Sequence, residues 1–130
     1  MAAYDSSLFD PPAPVALVGL RDPDSRRTSS SIAMLIDSGS DVSVVPKAAI
    51  DELGLEIDSD AGFELEGFDG RTTLARTVQL DLIFVGRVFK GKYVIIDSNM
   101  GILGRDVLNH VAILLDGPQL SWQEHDTSPR

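Results

Sequence analysis

Met34-Leu35-Ile36-Asp37-Ser38-Gly39-Ser40-Asp41 sets an acidic residue directly behind an apolar run and directly ahead of a small, flexible turn. Ile32 to Ile36 reads as one strand and Val42 to Val45 as the next, so the Asp37 carboxylate stands between two strands. The three apolar residues before it drive it towards the interior. A buried, ionised carboxylate is costly unless it is hydrogen-bonded or paired, so this position is either satisfied locally or kept for function. Asp, Ser and Gly are also ordinary turn residues, and Asp-Ser-Gly alone is compatible with a plain turn ending a strand.

Outward from this turn the pattern is one of short strands. On the N-terminal side, Pro14 to Leu20 reads as a buried strand, and the polar loop RDPDSRRTSSS after it favours turns. On the C-terminal side, Pro46 suits the first residue of a helix in which Ala49, Ile50 and Leu53 share a face before Gly54 ends it. Phe63 to Leu65 and Thr72 to Val78 flank Gly67-Phe68-Asp69-Gly70, the spacing of a hairpin with a glycine-bearing tip. Val78 to Val85 and Val88 to Ile96 read as strands joined at Gly86-Arg87. Gly101-Ile102-Leu103-Gly104 is an apolar pair between glycines, followed by a short helix across Asp106 to His110 and a hairpin, VAILLD then GP then QLSWQ. The fold expected is a mostly-β, closed or sandwiched sheet with one or two short helices. Residues 1–12 and 124–130 are expected as flexible tails around one domain spanning 13–123.

Composition narrows the chemistry. Hydrophobic residues at 43% and charged residues at 24% suit a soluble globular domain that buries a real core. Cysteine is absent, which excludes disulfides, thiol catalysis and thiolate metal sites, and His110 and His125 are the two histidines. No metal or cofactor is expected. The net charge of −9 repels phosphate backbones and anionic membranes, so nucleic acid and membranes are unexpected partners. The start MAAYDSSLFDPP lacks the regions of a signal peptide and no run approaches a membrane span, so a cytoplasmic location is expected.

The apolar triplet with Asp-Ser-Gly-Ser-Asp, the glycine-tipped hairpin and Ile102-Leu103-Gly104-Arg105-Asp106 before a short helix occur in that order. Together they resemble the retropepsin-like aspartic proteases over roughly residues 14 to 123, and the closing hairpin is similar to that of free-standing members. The resemblance implies a barrel-like acid-protease lobe in which Asp37, with Ser38 and Gly39, supplies half of a catalytic dyad. The other half would come from a second copy in a homodimer. It implies that Ser38 hydrogen-bonds across the dimer and that Asp41 and Arg105 form a bracing ion pair. Gly67, Phe68, Asp69 and Gly70 would then be a flap over a bound peptide, with Val42, Val44, Met100 and Ile102 lining its pockets. Asp97-Ser98-Asn99 has Asn where the motif needs glycine, so Asp97 is not expected as a second catalytic aspartate. Asp106 is expected to cap its helix, and Trp122 to pack in the core or an interface. The rival expectation is a catalytically silent protease-like fold serving as a peptide-binding or dimerisation module.

Overall fold

The computed structural model describes residues 2–66 and 72–125, and the side chains of these except 59–66 and 72–75. The elements are β1 (Ala2–Asp5), β2 (Ala13–Arg21), β3 (Thr28–Ile36), β4 (Val44–Pro46), α1 (Lys47–Leu53), β5 (Asp58–Glu66), β6 (Thr72–Phe84), β7 (Arg87–Ile96), β8 (Gly101–Leu103), α2 (Arg105–Leu108), β9 (Ile113–Asp116) and β10 (Ser121–Glu124). Period-two alternation explains most of them: in β2, Ala16, Val18 and Leu20 are buried while Leu17 is 68% exposed. Val78, Leu80, Leu82 and Phe84 repeat the pattern along β6.

These inward rows meet in one core with Met34, Val45 and Leu103. The sheet closes because β2 pairs with β3 on one side and with β6 on the other, through Gly19↔Ile83, Leu20↔Leu82 and Arg21↔Asp81. A register shift between Val18 and Leu20 interrupts the β2–β3 ladder where β2 begins to pair with β6 at Gly19. The result is a closed barrel of six strands, β2-β6-β7-β4-β8-β3, with β5 beside β6 and β1, β10 and β9 extending from β2. At the closing seam Asp81, 1% exposed, accepts two hydrogen bonds from Arg21 at 2.9 and 3.0 Å. Pairing of this kind is what makes a buried carboxylate tolerable.

The helix α1 follows its sequence signals closely. Pro46 is its N-cap rather than its first residue, Ala49, Ile50 and Leu53 are buried, and Gly54 ends it with φ 68°. Other elements differ from expectation. Thr72–Phe84 is one continuous strand rather than two, since β5 pairs with its first half and β7, with β2, along its second. Val42 and Ser43 precede β4 instead of beginning it. The final hairpin turns through four residues, 117–120, rather than through Gly117-Pro118 alone. Helix α2 starts at Arg105 and covers four residues.

The first dozen residues also depart from the expected tail. Ala2–Asp5 form β1, which pairs with Trp122 and Ser121 of β10 and with Pro14 and Ala13 of β2. Trp122 is 7% exposed, donates its indole N–H to the Val15 carbonyl at 3.0 Å and packs on Phe84 at 5.8 Å. It is a core residue of this junction. No helix among the described residues is long and apolar enough to cross a membrane.

Candidate active site

Strands β3 and β4 are consecutive in the chain but not neighbours in the sheet, because β8 lies between them. Residues 37–43 must therefore cross the C-terminal end of β8 to reach β4. This crossing explains Gly104, which directly follows β8: a Cβ there would stand 2.5 Å from the Val42 carbonyl oxygen and 2.9 Å from that of Ser40. Gly101 answers a similar demand, since its Cβ would meet the Val44 carbonyl oxygen at 2.6 Å.

Asp37 opens the crossing. Its N–H donates to the Leu103 carbonyl at 3.0 Å, continuing the β3–β8 ladder by one residue, and its own carbonyl accepts from Ser40 N at 3.1 Å. The Gly39 N–H donates to Asp37 Oδ1 at 2.9 Å, holding the carboxylate on its turn. A side chain at 39 would sit 3.1 Å from that oxygen, so glycine leaves the carboxylate its space. Contrary to the expected burial, Asp37 is only half-buried, and Ser38 and Gly39 are exposed. The apolar triplet carries the strand into the core, but the turn itself emerges at the barrel end.

The segment after β8 holds this crossing residue by residue. Arg105 N donates to the Ser40 carbonyl at 2.9 Å, and the Arg105 guanidinium donates to the Ser38 carbonyl at 2.7 Å and to Asp41 Oδ1. The expected Asp41–Arg105 pair is therefore present. The Asp41 side chain is 84% exposed, so the ion pair itself contributes little energy. The fixed fork of Arg105 instead holds a backbone carbonyl and a carboxylate at once.

Sequence reasoning missed Ser43 and misassigned Asp106. Helix α2 has no side-chain cap. Asp106 turns to the crossing instead: its Oδ2 accepts from Ser43 N at 2.9 Å and its Oδ1 from Ser43 Oγ at 2.6 Å. Ser43, with 0% exposure, also accepts from Gly104 N at 2.9 Å. The partners are more than 60 residues apart, and only the fold brings them together.

Beside the turn runs an apolar row on the outer face of the barrel. Val15↔Leu35, Leu35↔Ile102, Ile102↔Val44 and Val44↔Val94 are successive cross-strand partners, so their side chains share a face. By the two-residue alternation Asp37 follows Leu35 onto it. Three of the four expected pocket residues, Val42, Val44 and Ile102, belong to one cluster with Val94 and Ile96, and Met100 does not. Leu35, two residues before Asp37 on β3, was not singled out from the sequence and shares this face. Gly67, Phe68, Asp69 and Gly70 lie outside the described residues. Asp97 is exposed beyond the end of β7.

Among the described residues no group of three or more His, Asp or Glu side chains could hold a metal ion. His110 is exposed and lies against the Phe89 ring at 6.3 Å. Burial, reinforced by the Asp106 and Asp81 carboxylates, pushes the Tyr93 phenol well above its ordinary pKa, and its hydroxyl donates to the Phe89 carbonyl at 2.7 Å.

The family model described as "gag-polyprotein putative aspartyl protease" matches residues 28–110, from the start of β3 through α2. The chain belongs to this family of aspartyl proteases. Solved structures agree on the fold. The chain is similar to EIAV protease, solved in complex with the inhibitor HBY-793, with TM-score 0.59 and 24% identity over 75% of this chain and 86% of that one. It is also similar to the retroviral protease-like domain of Ddi1 from Leishmania major, with TM-score 0.50, 16% identity and coverage of 85% and 87%. A retropepsin-like aspartic protease from Rickettsia conorii matches at TM-score 0.46 and 17% identity, covering 81% and 86%. A search of curated proteins returns no match. The family match spans Asp37, Asp41, Ser43, Gly104, Arg105 and Asp106, so every residue of the crossing and its clamp lies inside it.

Proposed function

We propose that this aspartyl-protease family member is an endopeptidase that works as a homodimer, with Asp37 from each chain forming the catalytic pair. The observation that supports it best is Asp37 itself: a half-buried carboxylate, oriented by the Gly39 N–H, at the end of β3, whose Leu35 is the cross-strand partner of Ile102 on β8. On this reading one chain supplies half of a site and a second copy supplies the other half.

Two carboxylates in contact do not both ionise cheaply, so they share one proton; aspartic proteases are the standard example of this effect. The ionised member takes a proton from water as the water attacks the scissile carbonyl. The protonated member donates to the carbonyl oxygen, and the pair stabilises the tetrahedral species. Ser38 would hydrogen-bond across the interface to fix the separation of the two turns. An extended peptide would lie over the outer-face row, with Val42, Val44, Met100 and Ile102, and Leu35 beside them, offering apolar pockets. Gly67, Phe68, Asp69 and Gly70 would close over it and exclude water.

Charge sets the conditions. A dimer carries about −18, twice the −9 of one chain, so self-repulsion opposes assembly at neutral pH and weakens with salt or mild acid. Hydrolysis of an apolar-centred peptide is therefore expected to rise more than linearly with protein concentration at low salt. Molar salt should lower the concentration giving half-maximal specific activity by about tenfold. Specific activity indifferent to both protein concentration and salt would remove the dimer from the reading. Absence of any hydrolysis sensitive to pepstatin-like inhibitors would favour the silent, peptide-binding module.

A further inference from the structure

The geometry points to Asp106, acting through Ser43, as a positioning residue that sets where the Asp37 carboxylate stands; this rests on the aspartic-protease reading above. The crossing from Asp37 to Ser43 is held at three places by four consecutive residues. Leu103 takes the Asp37 N–H, Arg105 holds Ser38, Ser40 and Asp41, and Gly104 with Asp106 holds Ser43. The first hold is a backbone bond that any residue at 103 would supply. The second is exposed and shared with solvent. The third is of another kind, because Ser43 has no exposure at all.

Its hydroxyl donates to Asp106 Oδ1 and accepts from Gly104 N, while its N–H is taken by Asp106 Oδ2. One carboxylate thus fixes a backbone N–H and a side-chain rotamer of the same residue. Asp106 itself is exposed at the barrel surface, but Ser43 is fully buried, so losing the carboxylate leaves two polar groups of Ser43 to find new partners. Asp106 caps nothing on its own helix, so its carboxylate is committed to the crossing. The far end of the crossing is anchored in the core through Val45, and the near end through Met34. Between those anchors, Ser43 decides how much slack reaches Asp37.

In the dimer a small displacement of each turn changes the distance between the two Asp37 carboxylates, and proton sharing depends steeply on that distance. The width of the bell-shaped pH–rate profile measures this sharing, because strong coupling drives its two limbs apart. The other ionisable groups around the crossing and Asp106 are Asp41 and Arg105 from the turn and α2, Tyr93 from β7, and Arg87, Lys90, Lys92 and His110, which line the same cleft as Asp106. All of them are kept in the variants below.

The test compares wild type with Asp106→Asn, Asp106→Ala and Ser43→Ala at protein concentrations that saturate the dimer, using one apolar-centred peptide. Expected for Asp106→Ala and Ser43→Ala is a fall in kcat of about 10- to 100-fold with KM within about threefold, and a narrower pH profile. Asp106→Asn keeps one acceptor for the Ser43 hydroxyl and should fall between wild type and Asp106→Ala in both readouts. It is also the variant to rely on if Asp106→Ala does not fold. Folded, dimeric variants with unchanged kcat and profile width would overturn the assignment. So would a loss that scales only with melting temperature while the width stays constant. Absence of Asp37-dependent hydrolysis in the wild type would overturn the protease reading itself, and the assignment with it.

Discussion

Asp37→Asn is expected to lower kcat for peptide hydrolysis by about 10³-fold or more while leaving the fold in place. Asn keeps the shape of Asp and offers its amide oxygen to the Gly39 N–H that Asp37 Oδ1 now accepts at 2.9 Å. The turn therefore has no reason to rearrange, and the melting temperature should stay within a few degrees. What disappears is chemistry, because an amide neither takes a proton from water nor gives one to a carbonyl oxygen. Both carboxylates of the proposed pair come from the same position, so one substitution removes the acid and the base together. Circular dichroism and single-turnover hydrolysis on the same sample separate the two readouts. Residual activity within tenfold of wild type would move the catalysis away from Asp37.

Gly104→Ala is expected to act in the opposite way, through the fold. The added Cβ would stand 2.5 Å from the Val42 carbonyl oxygen and 2.6 Å from its carbon, and both are backbone atoms of the crossing rather than the tip of a mobile side chain. Relief requires the 37–43 segment to lift off β8, which breaks the bonds from Gly104 N to Ser43 Oγ and from Arg105 N to the Ser40 carbonyl. Overpacking of this kind costs about 3 kcal/mol. A drop in melting temperature of about 10 °C, measured by calorimetry, is the expected result. A substitution at Gly117 is the internal control, since nothing lies within 4 Å of a Cβ there. Equal stability of Gly104→Ala and Gly117→Ala would contradict the crossing geometry.

The parts of this architecture that were legible in the sequence are those set by local pattern. An apolar run announced β2, alternation announced the second half of β6, and Pro46 with Gly54 bracketed α1, because strand patterns and helix caps are properties of neighbouring residues. The Asp37 turn and the Gly104-Arg105 segment were legible for a similar reason, as short strings whose small residues have few alternative uses. What stayed hidden depends on partners distant in sequence. Ala2–Asp5 has no strand pattern of its own and becomes β1 because β2 and β10 both offer it a pairing edge. Ser43 looked like one polar residue in an apolar run until Asp106 was found against it. The expected burial of Asp37 also failed for a physical reason: the apolar residues before it belong to the core, and the residue after them has already left it.

Mixing wild-type chains with Asp37→Asn chains tests the shared site most directly. If each catalytic centre takes one carboxylate from each of two subunits, only pure wild-type dimers are active, and activity follows the square of the wild-type fraction at constant total protein. At equal proportions, after exchange has equilibrated under saturating conditions, about a quarter of the wild-type activity should remain. Half the activity, on a straight line through all proportions, would mean that one chain carries a complete site and would contradict the pairing of two Asp37 residues.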